Sequence, residues 1–399
     1  MVEASQRNNF AKAIFGIIAQ EKFDFSDAFS GSFDFYSAIF EYLIKNYNVA
    51  SGTYIENGVL GYHCALITPD ETVLKGKYLN IVLHTHYAQK YFEANASGSG
   101  QRYTLTNEII ENFPVPIPED INIQDDFGNL CSEIDSKIAN NTAICSTLES
   151  MAKLLYDYWF LQFDFPDENS KPYKSSGGKM VWSKELKRYI PDGWEVKRIG
   201  DIISTERGIS YSTPNIKTGE GVPMLNLATF NPGGGDYKAD GLKHYLGDYP
   251  KNKILKPYEL IMCNTQQTAI KFDTDIIGRA MLVPNIFNED VVFSHHVNVI
   301  RTENEDMKYY LLYLFNSDHF HKYISGFTNG TNILGLSFNG VEDYAIEIPP
   351  IDVLNRFGKM VLKVAKKKDE IILENQQLLS FRDFLLPMLM NGQVKVANT

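Results

Sequence analysis

Apolar positions recur at three- and four-residue steps in two long stretches of the chain. Phe127, Leu130, Ile134, Ile138, Asn141, Cys145, Leu148, Ala152, Leu155 and Trp159 form one series; Phe357, Val361, Val364, Lys368, Ile371, Asn375 and Leu378 form the other. This is the spacing of a coiled-coil seam, and it predicts helices from about Gln124 to Phe160 and from about Asp352 to Leu386. Asp352 follows Pro349 and Pro350 and is placed to cap the second helix, and Pro387 is placed to stop it. Each seam is broken by a polar side chain, Asn141 in one and Lys368 and Asn375 in the other, which sets register at a cost in stability. The expected arrangement is a mutual antiparallel pair; two amphipathic helices on separate cores are the alternative.

The chain also repeats itself at a spacing of about 230 residues. Glu111-Asn-Phe-Pro-Val-Pro-Ile-Pro118 matches Glu342-Asp-Tyr-Ala-Ile-Glu-Ile-Pro349, and a small-polar stretch precedes each, Ser97–Gln101 and Thr328–Asn332. Each copy leads into one of the long helices. The apolar helix ends, around Trp159, Phe160, Phe384 and Leu385, are candidate docking surfaces, with packing onto the adjacent domain as the alternative.

Between Pro191 and Pro350, short apolar runs are broken by Gly, Pro and Asn. Ile199–Ile203, Val222–Leu227, Glu259–Met262, Arg279–Val283 and His296–Ile300 read as strands, and Lys308–Leu314 and His319–Ile324 as helices. The region is an α+β domain. In the first repeat, Tyr62–Ile67 reads as a strand and Gly76–Tyr91 mostly as helix. Phe33–Ile44 and, more weakly, Ala11–Ala19 read as helices with no repeat partner. From Phe165 to Ile190 the composition turns polar and turn-rich, as expected of a surface linker docked by Trp182 and Lys184–Arg188. The expected organisation is a helical segment at 1–53, a partial first domain at 54–118, a first long helix at 119–165 and a linker at 166–190. A complete second domain at 191–350 and a second long helix with a tail at 351–395 follow.

Composition narrows the function. The 399 residues carry 38 Lys and Arg against 49 Asp and Glu, a net charge of −11, with 44% hydrophobic residues. No apolar run is long enough to cross a membrane. The four cysteines form no CxxC pair, which argues against a zinc site or a disulfide framework and for a reducing cytoplasm. The acidic balance counts against non-specific coating of nucleic acid but leaves room for a local DNA-reading surface.

Pro191-Asp-Gly-Trp-Glu-Val-Lys-Arg-Ile-Gly-Asp201 resembles the opening of a target recognition domain in the specificity (S) subunits of type I restriction–modification systems. Phe113–Pro118 with its following helix, Leu155-Tyr-Asp-Tyr-Trp-Phe160 and Leu386-Pro-Met-Leu-Met-Asn-Gly392 are similar to that family as well. The resemblance covers about residues 54–395. It implies two recognition domains, each reading half of a split double-stranded DNA site, spaced by a pair of helices. It also implies methyltransferase (M) subunits as partners and restriction (R) subunits joined through the complex. The N-terminus departs from the pattern: a counterpart of Pro191–Asp201 is missing from the first half, and Phe25–Tyr54 is similar instead to a stretch of the M subunit. The alternative reading is a recombined fragment that acts only as a protein–protein scaffold.

The motifs of catalysis do not occur. The S-adenosylmethionine turn and the Asn-Pro-Pro-aromatic motif of the M subunit are missing. Asn231-Pro-Gly-Gly-Gly235 lacks the second proline and reads as a loop. His295 and His296, adjacent on an expected strand, would face opposite sides and share no metal. A non-catalytic subunit without cofactor or metal is expected. Base reading requires Arg for guanine and Asn or Gln for adenine, assisted by Ser, Thr and Tyr. The candidate contacts are Arg207, Ser210 and Tyr211 in one loop; Asn264, Gln266, Gln267 and Lys271 in a second; and Asn329, Thr331 and Asn332 in a third. Gln101 and Arg102 form the first-half counterpart. From Trp194 to Pro350, 14 Lys and Arg face 19 Asp and Glu, so the domain alone is expected to bind DNA weakly.

Overall fold

The fold is taken from a computed structural model, which describes residues 67–96, 105–118, 120–266, 275–330 and 333–390. The segment 1–53, the strand expected from Tyr62, and Gln101, Arg102, Gln267, Lys271, Thr331 and Asn332 lie outside the described residues. The chain divides into two compact units. One is Cys145–Glu370; the other takes the described residues up to Ile144 and from Ile371 onward.

Helices α1 (Gly76–Leu83), α2 (His86–Asn95) and α3 (Asn107–Glu111) lead to the long α4 (Ile121–Tyr156). Strands follow: β1 (Met180–Ser183), β2 (Arg188–Pro191), β3 (Glu195–Arg198), β4 (Ile203–Arg207), β5 (Ile216–Lys217), β6 (Val222–Leu225), β7 (Lys243–Tyr245) and β8 (Ile254–Leu255). Then come β9 (Leu260–Cys263), β10 (Thr265–Gln266), β11 (Ala280–Leu282), β12 (Val291–Phe293) and β13 (Val297–Thr302). Helices α5 (Met307–Phe315) and α6 (Asp318–Ile324), strands β14 (Thr328–Asn329) and β15 (Leu334–Leu336), helix α7 (Asn339–Glu342), strand β16 (Ala345–Ile348) and the long α8 (Ile351–Met390) complete the chain.

In the smaller unit, Tyr78, Val82, Ala88, Phe113, Phe127 and Cys131 form a core, with Leu130 and Leu385 against it. Gln124 is fully buried there and fully used. Its amide nitrogen donates to the Val73 carbonyl at 3.0 Å and its oxygen accepts from the Lys75 amide at 2.8 Å. The helix pair is antiparallel within this unit. Asn141 meets Glu374 and Asn375, each at 2.8 Å, while Asp135, earlier on α4, meets Arg382, later on α8, at 3.1 Å.

In the larger unit the order runs the same way: Lys368 meets Glu149 at 2.7 Å, and the ring of Phe357 lies 4.9 Å from that of Phe160. Leu148, Leu155, Val361 and Val364 are buried here, as Ile134, Asn141 and Ile371 are in the other unit. Leu130, Asn375 and Leu378 are half-buried. The seam read from the sequence is therefore the inward face of both helices.

Several boundaries differ from expectation. The α-helix of α4 gives way at Asp157 to a π-helical turn, Asp157–Leu161. That turn swings Trp159 and Phe160 into the larger unit, where both are fully buried against Phe357 and Tyr310. They are core residues, as the alternative of packing onto the adjacent domain has it; on α8, Phe381 and Phe384 are the exposed aromatics among the described residues. Asp352 lies inside the first turn of α8, paired with Arg356 at 3.4 Å, rather than capping it. A carboxylate there still favours the helix through the dipole. Pro387 does not stop α8, which continues to Met390. Ile199–Asp201 is a 3-10 turn between β3 and β4, not a strand.

The core of the larger unit lies between two sheets, ordered β11-β9-β13-β4 and β5-β7-β6-β12-β8. Leu225, Ile261, Cys263, Met281, Phe293, Val297 and Val299 fill it. The repeat is also visible in structure. β16 pairs antiparallel with β3, the strand of the Pro191–Asp201 opening. Its first-half counterpart, Phe113–Pro118, follows a short helix in the same way but forms no strand. Among the described residues of the first half, no strand is present for it to pair with.

Candidate nucleic-acid interface

The alternation of β13 prepares the site. Val297 and Val299 point into the core, so Asn298 between them faces the other way. In the register of β13 with β4, Asn298 stands opposite Arg207. The next segment over is Asn264–Gln266, held by pairing of β10 with β15 and by a 2.9 Å hydrogen bond from the Leu336 amide to the Asn264 carbonyl. β15 pairs in turn with β14, setting Asn329 opposite Gly335. Four segments far apart in sequence thus converge on one cleft of about 380 Å³. Arg207, Asn264, Thr265, Asn298 and Asn329 line one part, and Gly335, Leu336, Ser337 and Phe338 the rest.

A single backbone oxygen organises the polar wall. The His295 carbonyl accepts from Arg207 Nε at 2.6 Å and from the Asn264 amide at 3.3 Å. Asn264 also donates to Asn298 Oδ1, and its own oxygen accepts from the Thr265 hydroxyl at 2.7 Å. Asn264 is buried and satisfied. Arg207 is exposed, and its two terminal nitrogens make no hydrogen bond among the described residues. A guanidinium tethered through Nε alone is a preset donor fork, which suits the paired acceptors of a guanine edge or a phosphate. The strand beneath it is anchored: Lys253 donates to the Arg207 carbonyl at 2.7 Å and to Glu206 at 2.8 Å. That hydrogen bond, with help from Arg301, holds the Glu206 carboxyl below the usual carboxylate range.

The remaining sequence candidates divide by location. Asn329 is exposed on the cleft rim. Ser210 is exposed, and Tyr211 is half-buried with its ring 5.5 Å from His295. Gln266 is buried, and its side-chain oxygen accepts from the Ile276 and Ile277 amides at 2.9 and 3.3 Å, so it fixes the backbone ahead of β11. Asn298, Ser337 and Phe338 were not singled out from sequence. An Asn between two core valines was the available signal for the first.

His295 and His296 occupy a turn, not a strand, and their rings lie 3.9 Å apart. Among the described residues, no group of three or more His, Cys, Asp or Glu is arranged to hold a metal. Burial, and then the neighbouring His295, Arg207 and Lys243, push His296 down to about 4. It is neutral at pH 7. An unfolded histidine titrates near 6.5, so on acidification the unfolded chain takes up this proton first. The His296 contribution to stability is therefore lost as pH falls from about 6.5 to about 4. The expected result is that His296→Gln gains in Tm relative to the parent chain between pH 7 and pH 5; parallel curves would contradict the assignment.

Residues 191–377 match the family model of the type I restriction modification DNA specificity domain. The MjaIX type I restriction enzyme specificity subunit of Methanocaldococcus jannaschii is 26% identical over 336 residues, covering 83% of this chain and 71% of the relative. The HindI specificity subunit of Haemophilus influenzae is 23% identical over 394 residues, covering 85% of this chain and 82% of the relative. Among solved structures, a type I restriction–modification S subunit from M. genitalium aligns with a TM-score of 0.44 at 14% identity, over 83% of this chain and 75% of that one. Residues 191–377 thus match the type I restriction modification DNA specificity domain, and the chain is similar to type I restriction enzyme specificity subunits over most of their length.

Proposed function

We propose that this chain reads one half of a bipartite DNA target through the Arg207–Asn264–Asn329 cleft, while its paired helices hold methyltransferase subunits and, through the complex, restriction subunits. The observation that carries the reading is the convergence of four sequence-distant polar segments on that cleft, with an exposed arginine fork at its edge. Direct base contact falls to Arg207 and Asn329, which are exposed, and Ser210, three residues after Arg207, is exposed as well. Asn264 and Gln266, both buried and bonded to protein, hold the loops in place. The chain supplies recognition and no chemistry; methyl transfer belongs to the partner subunit. With a net charge of −5 over Trp194–Pro350, the domain needs partner subunits to close on the phosphates.

The test is to co-purify the chain with the methyltransferase encoded beside it and map methylated adenines in DNA exposed to the pair. Methylation at a split motif is the expected result. A stable complex that methylates no defined motif would overturn the reading and favour a scaffold.

A further inference from the structure

The segment 170–190 has a charge opposite to the rest of the chain. It holds Lys171, Lys174, Lys179, Lys184, Lys187 and Arg188 against Glu185 alone. Two of these six cations are engaged: Arg188 pairs with the buried Glu347, and Lys179 pairs with Asp192 at 2.8 Å. Lys171, Lys174, Lys184 and Lys187 are exposed and have no ion-pair partner among the described residues.

The same segment displays two aromatic rings. β1 and β2 form a hairpin that pairs with no other strand among the described residues. Its register sets Trp182 opposite Tyr189, and period-two alternation turns Ser183 and Ile190 inward and both aromatics outward. Trp182 is 54% exposed and Tyr189 59%, with ring centroids 5.2 Å apart. The linker is thus not docked by Trp182, as the sequence suggested. Phe163 and Phe165 do that work, buried against Trp194. Lys184 and Lys187 stand in the turn between the strands, Lys187 with a positive φ of 52°.

Large apolar rings kept in water beside unpaired ammonium groups, in a chain of net charge −11, fit a polyanion with flat, partly apolar units. We infer that the β1–β2 hairpin is a second, sequence-independent contact to duplex DNA. In it Lys184 and Lys187 meet phosphates, and Trp182 and Tyr189 rest on the sugar–phosphate edge. This inference rests on the DNA-binding reading above but not on the base-reading cleft.

The test uses the full chain and a labelled random-sequence duplex, with affinity measured across a salt series. Each lysine–phosphate contact contributes about −0.9 to the slope of log K against log salt. Lys184→Gln/Lys187→Gln is expected to make that slope shallower by about 2, and Trp182→Ala to weaken binding without changing it. All three positions are exposed, so the Tm should hold. An unchanged slope in the double variant, or no binding by the parent chain at low ionic strength, overturns the inference. So does loss of methyltransferase co-purification with DNA binding intact, which would assign the hairpin to a protein partner. A shallower slope alongside no methylated motif would instead overturn the recognition reading and leave the hairpin contact standing.

Discussion

Lys368→Met is expected to destabilise the larger unit by about 3–5 kcal/mol, the cost of leaving buried charge unpaired. The Lys368 side chain is 14% exposed and bridges two carboxylates, Glu149 on α4 and Asp236 in the glycine loop before β7. Burial alone would lower its pKa, but Glu149 and Asp236 hold the ammonium well above the ordinary lysine range. Burial pushes Glu149 up, against the pull of Lys368. Without Lys368, two carboxylates face each other in a poorly solvated space, and one must take a proton or the loop must open. Chemical denaturation checks this. Adding Glu149→Gln and Asp236→Asn to Lys368→Met should recover much of the loss, because neutral amides are far cheaper to bury. A single variant within 1 kcal/mol of the parent, about the size of a surface pair, would show that the triad is solvated.

Gly208→Ala is expected to cost about 3 kcal/mol, at the upper end for overpacking, and to abolish methylation of the target. Gly208 follows Arg207 where the chain leaves β4, and its amide donates to the Val297 carbonyl at 3.1 Å. A Cβ there would collide with the carbonyl oxygens of Phe293 and Ser294. Both are rigid backbone, so no side chain can swing away. The displaced segment is the one whose next carbonyl, His295, holds Arg207 and Asn264. Thermal unfolding and the methylation assay read the two consequences separately. Full methylation at the parent Tm would mean that the approach of these strands is looser than the structure has it.

The same residues show how far sequence carries. The helix seams were legible because one face of each helix is buried along its length, and that leaves a regular apolar spacing. Lys368 was recognised as a polar interruption of a seam. Its partners were not, since Asp236 lies 132 residues away and only the folded glycine loop brings it near. In the recognition domain, residue type pointed to Arg207, Asn264 and Asn329, and the fold gathers them at one cleft. Residue type could not separate an amide that reads from one that braces: Gln266 looks like a base contact in sequence and is buried on two backbone amides. Trp159 lay on the predicted seam, and packing onto the adjacent domain, the alternative the sequence left open, is what buries it through the π-helical turn. Trp182 was misplaced: the hairpin alternation exposes it, and that alternation leaves no local signal strong enough to read.

The most direct test of the central claim is the methylation map of the chain and its methyltransferase, compared between the parent and Arg207→Ala. Losing one bidentate base contact costs about 1–3 kcal/mol of discrimination, roughly 5- to 150-fold. The account predicts that Arg207→Ala relaxes the sequence requirement at one position in one half of the motif and leaves the other half unchanged. An unaltered motif with unaltered methylation would contradict it, and would move base reading away from this cleft.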